Sequence, residues 1–535
     1  MAQAAQRAHP HTILLLDTQT PRYKWLVAGI VILACATQIF SGTSLNIAIP
    51  RLMVTFGTDL PTTQWVATGF LVTRTLVIPL LGWLGSMLGN RNLFVAIMVG
   101  FVVTSVGCGL STSLPMLVAF RALQGAVMGP MEGLTAVILV QAFPPQQRGL
   151  AIGLRSIGWA LGELFFYTAG GYLFEHISWR LLFFLGIPSG IAVAVLGLLV
   201  FPQDAEVRSP SVDYLGLLFL GTFLVPLLLV ISFGRDSETG ASTLIALGLA
   251  AFVGGGLFVA RELSTAFPAV NLRLFQQRTF CLLCSSAFFN SMGLFGGLFM
   301  VPIFLQQVMG LTPLQAGLLL LPALPFSVLS GLVTGRLSDR FPPPLVAVTG
   351  LLALTAVFHA LSSVTVFTTV TVLVGYMILY RAFMDTVGIP ITALTMQTLG
   401  PEQARMGQGL LGVMRSIGSS FGVAVTSVFF ERRRAWHQFQ AYTAYDNVSP
   451  AHEATLGELR LSLHHAGVGE TLVDQEALGI IREQMDIEAI ALGFQESFLF
   501  ICLCFLLAIG PMLCLLSRRI TAQSPVTEGR KSIKV

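Results

Sequence analysis

The sequence predicts an all-α polytopic membrane protein of fourteen transmembrane helices, with two six-helix halves in parallel repeat and two extra central helices. Three observations predict it. Of the 535 residues, 54% are hydrophobic and 10% are charged, against roughly 25% charged in an ordinary soluble domain, so a water-facing surface lacks its polar cover. The apolar residues fall into stretches close to the ~20 residues that a spanning helix needs. A segment near residue 121 recurs near residue 381. The composition excludes a soluble enzyme, a nucleic-acid binder and a disordered scaffold; the expected surroundings are lipid.

Taken in order, the expected spans are 25–49, 64–84, 93–111, 115–142, 150–173, 180–201, 213–233, 242–261, 279–308, 314–336, 344–363, 367–396, 407–430 and 495–516. Several carry Gly or Pro, which membrane helices tolerate better than soluble ones. The expected division is 1–201 for the first six-helix half, 202–270 for two linker helices and 271–516 for the second half. The last includes an outer loop at 431–495, and 517–535 forms a tail. Arg22, Lys24, Arg91, Arg148, Arg273, Arg336, Arg340, Arg518 and Arg519 fall on one side of this arrangement, and Arg51, Arg180 and Arg235 on the other. The positive-inside rule then places both termini in the cytoplasm. The outer loop is acidic, and 454–463 and 472–490 alternate apolar and polar residues at helical spacing. It reads either as a solvated helical cap or as a docking surface for a partner protein.

The repeat is legible in the residues. Arg121–Pro130 (RALQGAVMGP) returns as Arg381–Pro390 (RAFMDTVGIP), an offset of 260, and the same offset carries Arg155-Ser-Ile-Gly158 onto Arg415-Ser-Ile-Gly418 and Gly162 onto Gly422. Spans 4 and 5 thus correspond to spans 12 and 13 in the same direction. Transporters built from such repeats hold substrate between the halves near the midplane.

Arg74, Arg121, Glu132, Arg155, Glu163, Arg381, Asp385 and Arg415 lie inside spans. Each is costly in hydrocarbon unless paired or hydrated, so each marks a pathway or a buried pair. Arg381 and Asp385 stand one turn apart and can pair directly. Glu132, Arg155 and Glu163 fall at depths that allow one shared cluster. Asp339 and Arg340 end span 10, where an ion pair can latch one conformation. Cys281 and Cys284 form a CxxC with no second pair or nearby His, so no metal is expected. No P-loop is present.

The chain resembles the major facilitator superfamily, specifically its fourteen-helix drug:proton antiporter branch of EmrB/QacA-type multidrug efflux permeases. Asn46-Ile-Ala-Ile-Pro50 is similar to the ending of the family's first span. Arg121, Gln124, Gly125 and Pro130 match its span-4 motif. Gly162 stands in its span-5 motif, and Gly170-Gly171 before Ser178-Trp179-Arg180 resembles the passage to span 6. Gly82, Gly85, Gly89 and Arg91 keep part of the first loop motif, and Gly335, Asp339 and Arg340 keep the second. Three positions depart: Ser41 stands where the family carries Asp, Ser86-Met87 replaces Asp-Arg of the first loop motif, and Glu163 follows Gly162 where Pro is usual.

The resemblance implies secondary active efflux of hydrophobic or amphipathic small molecules against inward proton flow, with no cofactor beyond the gradient. It implies residence in a bacterial inner membrane and a periplasmic membrane-fusion adaptor as partner. A proton carrier must titrate, which Ser41 cannot do and a buried carboxylate can. Glu163 is therefore the first candidate, followed by Glu132 and Asp385, with Arg121, Arg155 and Arg381 as modulating cations. Two other readings stay open: export of a specific endogenous metabolite or lipid-like compound, and a non-transporting membrane receptor or scaffold. No nucleophile–base set appears, so no enzyme is expected.

Overall fold

The computed structural model describes residues 21–165, 178–203, 213–233, 240–265, 268, 270–365, 367–399, 401–446, 450–466 and 469–523, and the regular elements among them are helical. The first half contains α1 (Pro21–Phe56), α2 (Leu60–Val77), α3 (Leu81–Gly109), α4 (Leu114–Met128), α5 (Met131–Ala142), α6 (Arg148–Gly153), α7 (Arg155–Phe165), α8 (Arg180–Leu185) and α9 (Ile187–Val200). Then come α10 (Tyr214–Phe233) and α11 (Ala241–Ser264). The remainder comprises α12 (Arg278–Gln307), α13 (Pro313–Leu320), α14 (Leu324–Arg340), α15 (Pro343–Leu361), α16 (Val370–Phe383), α17 (Asp385–Thr398), α18 (Pro401–Asp446), α19 (Pro450–His465) and α20 (Glu470–Gln523).

Among the described residues, twelve helical stretches are long and apolar enough to cross a membrane. One of them, Thr62–Gly109, is 48 residues long and covers two of the spans read from sequence. Three expected spans carry an irregular turn in the middle, where the backbone stays right-handed helical. In span 4 it falls at Gly129–Pro130, where proline has no backbone N–H to continue the ladder. In span 5 it falls at Leu154 and in span 12 at Met384. Residues 166–177 of span 5, with Gly170 and Gly171, lie outside the described residues.

The repeat read from sequence has a physical counterpart in packing. On α7, a Cβ added to Gly158 would strike the Ile32 carbonyl of α1, and one on Gly162 would lie 2.6 Å from the Ala36 carbonyl oxygen. On α18, Gly418 and Gly422 press in the same way against the Phe288 and Met292 carbonyls of α12. Small residues at this spacing let two backbones touch, the usual basis of helix association in lipid. Apolar cores then fill each half: Val31, Phe94, Met98 and Leu134 in the first, and Phe280, Leu354, Phe358 and Phe505 in the second. The second core also takes in Leu220, Leu224 and Phe258 of the central pair α10–α11. That pair is fastened by Gly254 against the Thr222 carbonyl and by an Arg261–Asp213 ion pair at 3.1 Å.

The 431–495 segment is not a loop in the ordinary sense. α18 and α20 run on past their apolar stretches as continuous helices, and α19 lies between them. Their polar groups satisfy one another: Arg433 pairs with Glu496, His437 approaches Glu496 at 3.2 Å, and Tyr442 donates to Asp486 at 2.8 Å. Arg460 of α19 pairs with Asp474 of α20 at 2.7 Å.

Candidate functional site

Spans 2, 4, 5, 12 and 13 bring charges from both halves together in one layer. Asp385 follows the irregular turn of span 12 and Glu132 that of span 4. Arg74 lies near the end of α2 and Arg381 near the end of α16. Glu132 is clamped from both halves: Arg74 holds one carboxylate oxygen at 3.1 Å, and Arg415 of α18 stands 3.9 Å from the other. Arg415 also donates to the Gly388 carbonyl at 3.0 Å and the Thr392 hydroxyl at 2.7 Å. Glu163 pairs across the halves with Arg381 at 3.0 Å.

Arg155 and Asp385 differ from these. Arg155 is 3% exposed, stacks over the Trp159 ring at 4.9 Å, and forms no ion pair among the described residues. Its Nε and one Nη nitrogen have no hydrogen-bond acceptor. Asp385 is 6% exposed, and its Oδ2 has no hydrogen-bond partner. Arg155 and Arg381 both act on it electrostatically. With Glu132, Gln408 and Arg415, Arg155 lines a cavity of about 10 Å³, room for roughly one water.

These placements revise three expectations. Glu132 and Arg155 do share one cleft, but Glu163 stands apart with Arg381 instead of joining them. The ion pair on Arg381 runs to Glu163, although Asp385 follows one turn along the same span. Arg121, 1% exposed, keeps its charge beneath the Phe70 ring at 4.2 Å and donates to Gln124 at 2.6 Å, which in turn donates to Ser105. Arg74 and Arg415 supply the clamp and were not among the candidate site residues. Arg415 had a signal, as the 260-offset counterpart of Arg155. The side chains of Asn46 and Pro50 lie outside the described residues.

A second site lies at the end of the bundle that carries Arg148 and Arg340, called the basic end below. Asp339 accepts hydrogen bonds from the Gly149 and Leu150 amides at 2.7 and 2.9 Å, capping α6 from the other half. The expected Asp339–Arg340 latch is therefore corrected: Arg340 is exposed, and the carboxylate binds a helix start, where free N–H groups attract anions. Behind it, Gly149 and Gly153 of α6 meet Gly335 and Gly331 of α14, backbone against backbone. Across the pseudo-repeat, Arg405 donates to the Gly85 carbonyl at 2.8 Å, and Gly82 packs on Met406. Gly89 adopts φ 76°, a conformation that suits glycine and turns α3 at the loop motif. Arg91 donates to the Leu198 carbonyl at 2.6 Å. Asp339→Asn is expected to weaken the cap by about tenfold in the closed-to-open ratio, since hydrogen bonds to a charged group contribute roughly 1.5–3 kcal/mol. Cysteine accessibility on both faces measures this; an unchanged pattern would mean that the cap holds no state closed.

The sequence profile of the Major Facilitator Superfamily matches residues 31–423. Among curated proteins, the chain is 27% identical over 510 residues to "Multidrug export protein EmrB" of Escherichia coli (strain K12), covering 91% of this chain and 94% of that one. It is 29% identical over 475 residues to "Fatty acid resistance protein FarB" of Neisseria gonorrhoeae, covering 87% and 91%. Among solved structures it superposes on the human organic anion transporter MFSD10 with a TM-score of 0.58 at 15% identity, covering 91% of this chain and all of that one. That last likeness concerns the fold.

Proposed function

Because the chain belongs to the Major Facilitator Superfamily, and so is a transporter and not an enzyme, we propose that it is a fourteen-span secondary exporter of amphipathic small molecules driven by inward proton flow. The observation that carries this reading is the buried charge layer shared by the two halves. The Glu132–Arg415 and Glu163–Arg381 contacts cross between the halves and must break whenever the halves rock apart, while Arg74 stays with Glu132 inside the first half. A static scaffold has no use for charges held at such cost in lipid. The count of fourteen is supported by Thr62–Gly109, whose 48 residues, turned at Gly89, supply two crossings at ~20 residues each.

In this reading residues 1–201 and 271–516 are the moving halves, 202–270 the linker pair, and the basic end faces the cytoplasm. The Asp339 cap and the glycine crossing then close that side. The charge layer changes the order of the proton carriers. Glu163 and Glu132 are each held by an Arg, whereas one oxygen of Asp385 has no hydrogen-bond partner. Asp385 becomes the leading carrier. The test is purified protein in proteoliposomes, with an imposed pH gradient compared with an imposed Na⁺ gradient. Amphiphile accumulation under the pH gradient alone is expected. Accumulation under Na⁺ alone sinks proton coupling, and movement of one metabolite alone favours the endogenous-compound reading.

The outer hairpin of α18–α20 suits an adaptor. Its arms touch at Tyr442–Asp486, so excising 441–488 leaves ends that a short linker rejoins. Transport in proteoliposomes is expected to stay near wild type, while export across the full envelope of intact cells falls about tenfold or more, as expected when a tethered partner is lost. Normal export in cells would remove the adaptor from the mechanism.

A further inference from the structure

α10 packs against α2 of the first half and against α18 of the second, so the linker pair lies along the seam between the halves. Thr75 of α2 and Ser416 of α18 share a hydrogen bond across that seam at 2.6 Å. At its basic end, α11 carries an acid that the charge layer does not use. Glu262 is fully buried. Its Oε2 accepts from the Val270 amide at 3.2 Å, and its Oε1 has no hydrogen-bond partner. That oxygen and the Oδ2 of Asp213 flank Gly216, where a Cβ would lie 2.7 and 3.0 Å from them. Asp213 is in turn held by Arg261. A buried carboxyl group with one oxygen unmet costs stability, so its gain lies in what the other oxygen holds. From Val270 the contacts continue to the gate. The Asn271 amide donates to the Met406 Sδ at 3.3 Å, and its side chain caps the turn that begins at Leu272. Gly82 packs on Met406, and Arg405 beside it donates to the Gly85 carbonyl. The Arg273 side chain donates back to the Leu263 carbonyl of α11 at 3.1 Å.

We propose that Glu262 is a positioning residue for the basic-end gate: through Val270 and Asn271 it holds Met406 against Gly82, so the linker pair braces the closed state. The inference rests on the rocking halves of the exporter reading and gives the two extra helices a part in it. Val270 and Leu274 are buried in the second core, so a shift of α11 is passed on to α18 instead of being absorbed between them. The brace also answers an asymmetry of the gate. Asp339 caps α6 at one crossing, but the equivalent position at the other is Ser86, which donates within its own helix to the Trp83 carbonyl at 2.8 Å. The linker pair supplies the hold that a second carboxylate would have given.

The test is the rate at which a membrane-permeant maleimide labels Ser338→Cys, in the full chain in proteoliposomes with the exposed Cys281 and Cys514 changed to Ser. Ser338 is 5% exposed and shares the α14 face of Gly331 and Gly335, so opening of the basic end uncovers it. The buried native Cys35 and Cys284 report unfolding of either half and should stay unlabelled. Glu262→Leu is expected to raise the labelling rate about tenfold or more, since it leaves the Val270 amide without an acceptor. Glu262→Gln keeps an oxygen for Val270 and can turn its amide nitrogen toward Asp213, so it should stay within about twofold of wild type. Gly216→Ala reaches the same contact from outside: its Cβ displaces Glu262, and labelling should rise again. Met406→Leu removes the sulfur acceptor at nearly constant volume and should also raise labelling. Combined with Glu262→Leu it should add little, because both cut one path. Wild-type labelling in a Glu262→Leu protein whose Cys35 and Cys284 stay protected overturns the brace. Additive effects in the double variant do the same. Should Glu262→Leu fail to fold, Gly216→Ala and Met406→Leu decide the matter, and wild-type labelling in both overturns it. These results leave the exporter reading standing, because the gradient experiment tests it separately. A Ser338→Cys that no variant uncovers overturns the brace together with the opening of this end.

Discussion

Asp385→Asn is expected to abolish gradient-driven accumulation while leaving substrate exchange across the membrane near its wild-type rate. Asn keeps the size and the hydrogen-bonding shape of the acid but cannot gain or lose a proton in the working range. One pH unit corresponds to about 1.36 kcal/mol per proton. A two-unit gradient with the membrane potential clamped thus supports roughly hundredfold accumulation at one proton per substrate, and the variant should fall to a ratio near one. Exchange of labelled for unlabelled substrate needs only the rocking of a loaded carrier, so it should survive. Glu163→Gln and Glu132→Gln provide the contrast. Each leaves an Arg without its ion-pair partner (Arg381 or Arg74), so they should lower protein stability and slow exchange as well, because breaking a buried pair costs about 3–5 kcal/mol. If Asp385→Asn accumulates substrate like wild type and Glu163→Gln alone uncouples, the carrier is Glu163.

Gly153→Val should prevent closure of the basic end. A Cβ at Gly153 would already strike the Gly331 carbonyl of α14, and the reciprocal position Gly331 faces Ser156 and the Gly153 carbonyl. Valine adds two more carbons where two backbones meet. Overpacking of this kind costs about 1–3 kcal/mol, enough to shift a two-state ratio by roughly 5- to 150-fold. The cost falls on the closed state alone, so the protein should still fold and insert. Cysteines placed near Gly149 and Gly335 should become accessible from the basic end, and net transport should drop by at least about tenfold. Gly153→Ala is expected to be milder, since it adds a single carbon. Wild-type transport by the valine variant would mean that this crossing opens and closes elsewhere.

Much of the fold was legible because its main signal is local. Apolar stretches of spanning length announce themselves, and the repeated Arg-Ser-Ile-Gly marked the correspondence that Gly158 and Gly418 later embody in packing. The irregular turn at Gly129–Pro130 could be read from its residues, but the one at Met384 could not, since no glycine or proline marks it. The partners of the charges were less legible still. Helical spacing pointed Arg381 toward Asp385 because that pair is close along one helix. The ion pair with Glu163 depends on how two halves separated by about two hundred residues meet, and no local rule reports that. Asp339 was recognisable as a gate residue. That its partners are main-chain amides of α6 was hidden, because backbone donors leave no trace in a sequence. The outer segment showed its helical periodicity, but not that its helices run unbroken out of the membrane.

That continuity makes α18 a mechanical lever. One helix of 46 residues, ~70 Å long at 1.5 Å per residue, carries Arg405 at the Gly85 contact, Arg415 in the charge layer and Tyr442 on the outer hairpin. No proline interrupts it after Pro401. A stiff rod converts a small rotation about its middle into a large swing at its tips: a tilt of about 5° displaces each end by ~3 Å over such a length. Whatever grips the hairpin tip therefore feels the stroke of the pump, and load applied there pushes back on the opposite gate.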